Sequence, residues 1–323
     1  MSDAPRGRRV DRIGLGLAAL GRPAYLTSGR DRDVGPARSV AEMRSRTMEL
    51  LEAAYARGIR YVDTARSYGR AEEFLADWLR SNPDSAAIDV ASKWGYRYVG
   101  DWKLESAVHE VKDHSLTAFI TQLRQSRSLL GDRLGLYQVH SVTEDSPVLT
   151  DPELQNALAD LRDQGLRVGF STSGPRQAAV IEAALALSVN GAPLFSSVQS
   201  TWNLLETSAA PALVAANDAG VAVVLKEIFA NGRLAPGATG AGARTVARIA
   251  AELHIGVDQL AIAAAVQQPW QPRVLSGAVT VPQLESHLAG AEVDLPIQVV
   301  DELAEVSEEP VDYWTARSQR PWN

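Results

Sequence analysis

Arg60 to Gly69, RYVDTARSYG, is a short apolar run that stops at an acid, Asp63, and brings a phenol, Tyr68, one turn later. Two further runs repeat the pattern. Ile88 to Trp94, IDVASKW, brings Lys93 to a strand end, and Leu134 to His140, LGLYQVH, ends in an imidazole. Short apolar runs bounded by polar residues read as strands buried on both faces. Such strands have little reason to end so consistently in ionisable groups. Gathered at the strand ends of one sheet, Asp63, Tyr68, Lys93 and His140 can move a proton to a carbonyl oxygen. The chain therefore reads as an enzyme.

Outward from these runs, strands and helices alternate. Strands are expected at Arg12 to Leu17, Tyr61 to Asp63, Ile88 to Ser92, Leu134 to Val139, Val168 to Phe170, Phe195 to Gln199, Val221 to Leu225 and Val274 to Ser276. Helical patterns fill Arg44 to Arg57, Ala71 to Arg80, Leu116 to Leu130, Asp151 to Arg162, Gln177 to Ser188, Ala209 to Ala219, Ala243 to Leu253 and Gln259 to Gln267. Gly58 stops the first helix, Asp151 and Pro152 open the fourth, and Thr280 to Gln283 has the spacing of a capping box. A long polar loop carrying Tyr96, Tyr98 and Trp102 is expected after Lys93. Pro236 to Ala243, PGATGAGA, reads as a mobile loop.

Eight strand-helix alternations without an obvious linker predict a single (β/α)8 barrel over residues 1–323, with a tail at 309–323. An open doubly wound sheet is the runner-up. It would show a G-x-G-x-x-G turn after the first strand, and Gly14-Leu-Gly16 followed by Leu17 to Gly21 does not fit that spacing.

The chain of 323 residues has 46% hydrophobic residues, a formal charge of −7 and no cysteine. Disulfides, thiolate catalysis and cysteine-ligated zinc are excluded. An acidic chain is a poor nucleic-acid binder. No stretch has the length or apolarity of a membrane span or signal core, so a cytoplasmic protein is expected. Four lysines stand against 28 arginines, which draws attention to Lys93 and Lys226, both at strand ends. Those ends, in order, are Asp63, Lys93, His140, Ser171, Gln199, Lys226 with Glu227, and Ser276 with Gly277. Each has a bland reading, such as a turn cap for Asp63 or a satisfied core histidine for His140. Their joint occurrence favours chemistry.

With these residues in place the chain resembles the aldo-keto reductase family. The resemblance runs through Gly58 to Gly69 with Glu72, then Ser92-Lys93, Gln138-Val-His140, Gly169-Phe-Ser171, Gln199 with Asn203-Leu-Leu, and Ser276-Gly-Ala278. It implies an NAD(P)-dependent oxidoreductase on a (β/α)8 barrel, moving a hydride between nicotinamide and an aldehyde, ketone or sugar hemiacetal. Tyr68 would be the general acid or base. Lys93 would lower the phenol's pKa, Asp63 would hold Lys93, and His140 would position the carbonyl. No metal is implied.

The resemblance also implies cofactor contacts from Asp63, Ser171, Thr172, Gln199, Lys226, Arg233, Gly277 and Gln283. Thr172 stands where many members have asparagine. Lys226 stands where many have a tyrosine stacked on the nicotinamide, a role a lysine cannot fill. Ser276 to Leu288, SGAVTVPQLESHL, has no lysine or arginine where a 2′-phosphate clamp is common. The lean is to NAD or to dual use, with Arg244 as the compensating cation. Tyr25, Trp94, Tyr96, Trp102, Trp314 and Trp322 are candidate pocket walls. Two other readings stand beside this one: a regulatory nicotinamide binder acting through a protein partner, and a lyase forming a Schiff base on Lys93 or Lys226.

Overall fold

Period-two alternation within each strand organises the molecule. A computed structural model describes residues 8–26, 33–235 and 238–322. Its barrel strands are β1 (Ile13–Gly16), β2 (Tyr61–Asp63), β3 (Asp89–Trp94), β4 (Leu134–Val142), β5 (Arg167–Thr172), β6 (Ser197–Thr201), β7 (Ala222–Lys226) and β8 (Arg273–Ser276). Neighbours pair in parallel, and β1 pairs with β8 to close the barrel. The result is a (β/α)8 barrel, not an open sheet.

Tyr61, Ala91, Leu136, Val224 and Leu275 form an apolar cluster apart from the main core. They come from five strands and plug the barrel interior. Two residues further along, the same face carries Asp63, Lys93, Gln138 and Lys226. Residues of the opposite face, Val62, Val90, Tyr137 and Leu225, point outward and join the core shared with the helices. One periodicity thus places an apolar layer under a polar one at the C-terminal mouth.

The helix Val40–Ala56 begins four residues before the sequence pattern indicates, because Ser39 and Glu42 close a capping box. It ends on Gly58 at φ 91°, where the Ile59 N–H donates to the Ala54 carbonyl at 3.0 Å. The helix Ala71–Ser81 buries Phe74, Leu75, Trp78 and Leu79 against the barrel.

Three expectations change. The loop after β3 contains an antiparallel hairpin, Tyr96–Tyr98 with Glu110–Lys112. The helix from Gln177 stops at Leu185, and Ser188–Val189 pairs with Ala192–Pro193. Asn190 and Gly191 both take positive φ, 56° and 76°, as a two-residue hairpin turn requires. In the PGATGAGA stretch, residues 236 and 237 lie outside the described residues, and Ala241 already opens the helix Ala241–Glu252.

Candidate active site

Asp63 ends β2 and Lys93 is the penultimate residue of β3. The Lys93 ammonium, fully buried, donates to Asp63 Oδ1 and, at 3.1 Å, to the Thr64 carbonyl. The other carboxylate oxygen of Asp63 accepts from Gln199 at 2.9 Å and Gln138 at 3.4 Å. Each member of this buried charge pair is thus hydrogen-bonded, as burial demands.

Tyr68 sits on the turn between β2 and the next helix. The turn is clamped by close backbone approach: Arg70 N–H donates to the Gly21 carbonyl at 2.7 Å. A Cβ on Gly21 would lie 2.0 Å from the Tyr68 carbonyl oxygen, and Gly69, at φ 60°, would strike Gly21. Held there, the Tyr68 oxygen accepts from Lys93 Nζ at 3.5 Å and stands 3.5 Å from His140 Nε2.

His140 owes its aim to a bulge. The β4–β5 register shifts between Val139 and Val142, and Ser141 takes φ 54°. The Ser141 N–H donates to Ser171 Oγ at 2.8 Å, and His114 Nε2 donates to the His140 carbonyl at 2.8 Å. Bulges commonly re-aim side chains in this way. Burial, with Lys93 and Lys226 next, holds the His140 pKa well below the usual 6.5. It is therefore a neutral imidazole near neutrality.

The expected lowering of the Tyr68 pKa is not found. Burial, then the Asp63 carboxylate, pushes the phenol well above 10. The physical reason is burial, which disfavours the charged phenolate, with the Asp63 carboxylate adding to it. A neutral phenol is a proton donor, not a phenolate.

Asp63, Tyr68 and His140 floor a cavity of about 700 Å³, with Lys93 buried beneath it, within the range for small-molecule sites. It runs from Tyr68 and His140 past Gln199 and Lys226 to Gly277, Gln283 and His287. Tyr25, Tyr96 and Trp322 wall it. Trp94 and Trp314 are buried in the core, and Trp102 donates to the Arg38 carbonyl at 2.9 Å. None of the three lines the cavity.

The cofactor candidates divide. Asp63, Gln199, Lys226, Gly277 and Gln283 line the cavity; Ser171, Thr172 and Arg233 do not. Ser171 holds the bulge. Thr172 is fully buried and bonds Ser200 at 2.9 Å. Arg233 is bound by Glu308. Arg244 is exposed on its helix and donates to the Thr239 carbonyl, away from the cavity. Gln283 spends its amide on Asp33 Oδ2 at 2.7 Å and accepts from Val279 N–H at 2.9 Å. Its carbonyl thus reaches one residue before the Thr280 cap.

Sequence reasoning missed several lining groups. Arg22, 2% exposed, pairs with Glu110 at 2.7 Å and lies 5.4 Å over the Tyr68 ring and 4.7 Å over Trp322. Arg317, on the C-terminal helix Pro310–Ser318, grips Glu227 through two bonds of 2.8 and 2.5 Å. His287 accepts or donates to Ser276 Oγ at 2.7 Å. No local signal marks these residues, because their partners are distant in sequence.

The cavity suits an extended polar ligand. Asn231 Oδ1 lines it with no hydrogen-bond partner among the described residues. Nothing lies within 4 Å of where a Gly277 Cβ would stand. Among the described residues no group of three or more histidines and carboxylates could hold a metal. No single helix there is long and apolar enough to cross a membrane.

A parallel (β/α)8 barrel with a buried acid–lysine pair, a phenol and an imidazole at its C-terminal mouth defines an enzyme class by site as well as by fold. The chain belongs to the aldo/keto reductase family, whose profile matches residues 12–308. It is an oxidoreductase of a family that uses nicotinamide cofactors on small carbonyl compounds. Among solved structures it is similar to an aldo-keto reductase from Bacillus halodurans in its holo form, at 21% identity, 93% coverage of each chain and TM-score 0.69. A protein provisionally described as an aldo-keto reductase from Pseudomonas aeruginosa matches at 23% identity, with 87% of this chain and 88% of that one covered, TM-score 0.61. A provisionally described 2,5-diketo-D-gluconic acid reductase B matches at 19% identity, covering 92% and 88%, TM-score 0.63. These likenesses concern the fold. No curated protein matches the chain.

Proposed function

We propose that the protein reduces an aldehyde, ketone or sugar carbonyl, with Tyr68 as the proton donor. The observation that carries this reading is the Tyr68 oxygen placed 3.5 Å from both Lys93 Nζ and His140 Nε2 on the cavity floor. A carbonyl oxygen between Tyr68 and His140 would receive a proton from the phenol and a hydrogen bond from the neutral imidazole. Lys93, held by Asp63, would stabilise the phenolate as the proton leaves. A reduced nicotinamide bound beside this pair would supply the hydride, itself becoming oxidised, so that C=O becomes CH–OH.

The far end of the cavity favours NAD over NADP. Gln283 there is bridged to a carboxylate, Asp33, and Asp258 also lines the wall. Among the described residues no lysine or arginine side chain is bonded to the Asp33 or Asp258 carboxylate; Arg46 donates to the Asp33 backbone carbonyl. A carboxylate can accept from a ribose 2′-hydroxyl, and it repels a 2′-phosphate.

The test is oxidation of NADH or NADPH against a panel of aldehydes, ketones and sugars. Wild type should turn over at least one, and Tyr68→Phe should lose about a hundredfold or more of the rate while still binding the dinucleotide. Full turnover by the phenylalanine variant would refute the assignment of the proton donor.

A further inference from the structure

Lys226 ends β7 and lines the cavity one strand from Gln199, opposite Thr201 in the β6 register. Its side chain is 14% exposed. Its ammonium donates to Thr201 Oγ1 at 2.8 Å and stands 3.5 Å from Glu227 Oε1. That carboxylate is already committed: Arg317 grips both of its oxygens at 2.8 and 2.5 Å. Glu227 is itself fixed, at φ 59°, with its carbonyl accepting from Asn203 at 3.0 Å. The local cluster therefore holds two cations and one anion. Around it the other charges cancel in pairs, Lys93 with Asp63 and Arg22 with Glu110. The catalytic end of the cavity carries one cation in excess; Lys226 and Arg317 both line it, and Arg317 is the one bound to Glu227 through two bonds, which leaves Lys226 with the weaker 3.5 Å approach.

Any hydride donor must lie within about 3–3.5 Å of the carbonyl carbon held by Tyr68 and His140. The nicotinamide ring thus belongs at this end. Its two redox forms differ by one positive charge on that ring.

We propose that Lys226 is a redox-form selector: its positive charge disfavours the oxidised, cationic nicotinamide and leaves the reduced, neutral ring unaffected. The inference rests on the nicotinamide reading above. It gives the site a direction, since a pocket that holds the reduced dinucleotide and sheds the oxidised one is organised for carbonyl reduction.

The effect is also pH-dependent. Burial, opposed by Glu227 and assisted by Arg317 and Lys93, lowers the Lys226 pKa to about 8. The other groups facing it do not titrate with it. His140 is held well below 6.5, Glu227 is held to about 2 by Arg317 and Lys226 against its burial, and Arg317 is raised by Glu227. Below about pH 8 the cation is present and the oxidised form binds weakly. As pH rises through that value the charge is lost and the oxidised form binds more tightly.

The experiment is a fluorescence or calorimetric titration of the full chain with NAD+, NADH, NADP+ and NADPH, at about pH 6.5 and about pH 9.5. In wild type, Kd(oxidised)/Kd(reduced) should fall about tenfold between the two, equivalent to about 1.4 kcal/mol. Lys226→Met should show the low ratio at both pH values, and Lys226→Arg the high ratio at both. An unchanged ratio in Lys226→Met overturns the inference. Should that variant fail to fold, a wild-type ratio that ignores pH overturns it equally. If no dinucleotide binds wild type, the nicotinamide reading itself falls, and the selector with it.

Discussion

The buried pair Lys93–Asp63 separates stability from chemistry. Both side chains are nearly inaccessible, at 0% and 3% exposure. Lys93→Met would leave Asp63 charged in the barrel with only the Gln199 and Gln138 amides as donors. Breaking a buried pair from one side costs about 3–5 kcal/mol, a large part of a typical stability of about 5–15 kcal/mol. Asp63→Asn should cost a similar amount, because it leaves the buried ammonium with only neutral acceptors, the Thr64 carbonyl, the Tyr68 oxygen and the new amide oxygen. The double variant removes both charges and should cost little more than either single one. A double-mutant cycle by urea unfolding should therefore give a coupling energy of about 2 kcal/mol or more. All three variants should be severely impaired in turnover, the double included, because the recovered stability does not restore the phenolate's cation. Single effects that add to within about 0.5 kcal/mol would refute the pairing. A double variant with recovered turnover would refute the catalytic role.

Three further outcomes follow from the geometry. Ser171→Ala removes the acceptor of the Ser141 N–H; it should cost about 1–3 kcal/mol of stability and lower kcat with little change in dinucleotide Kd, and an unchanged kcat would show that the bulge does not aim His140. His114 and His287 are held by burial to about pH 4, and His140 well below 6.5; all three bind protons more readily unfolded, so thermal stability should be intact above about pH 6.5 and decline progressively as pH falls towards 4, and His114→Gln should soften that decline. Gln283→Arg alone would place its new cation against Asp33, now 2.7 Å from the Gln283 amide, so only Asp33→Asn with Gln283→Arg should gain the full one to two decades towards NADP that a charge-assisted contact of about 1.5–3 kcal/mol supplies, measured as a ratio of Kd values.

The barrel was legible because its rule is local. Polar residues follow plug residues by two positions: Asp63 after Tyr61, Lys93 after Ala91, Gln138 after Leu136. The Asn190-Gly191 turn was equally local and carries a known hairpin signature, but the run before it reads as helix and masked it. The capping box at Ser39 was likewise present in the letters. What the letters could not carry is the use of each polar group. Ser171 resembles a cofactor contact, and in the fold its oxygen also accepts from the Ser141 N–H. Tyr68 has a lysine beside it, yet the phenol rises because it is buried and faces the Asp63 carboxylate. Arg22, Glu110 and Arg317 become visible only when loops far apart in sequence meet over the mouth.

The two ends of the cavity differ in sign, and this bears on how a dinucleotide would lie. On the proposed reading, Lys226 sits at the end where the nicotinamide would lie for hydride transfer. Asp33 and Asp258 sit at the other end, with Gln283 between the strand-eight loop and Asp33. A cation at the first end weighs against the oxidised ring, and carboxylates at the second weigh against a 2′-phosphate. The reduced dinucleotide without the extra phosphate, NADH, is the one form that meets neither repulsion. Both effects act in the free energy of binding, and neither needs a group beyond those already lining the wall. On the proposed reading, selectivity of this kind would come from disfavouring alternatives rather than from a stacking aromatic or a basic clamp.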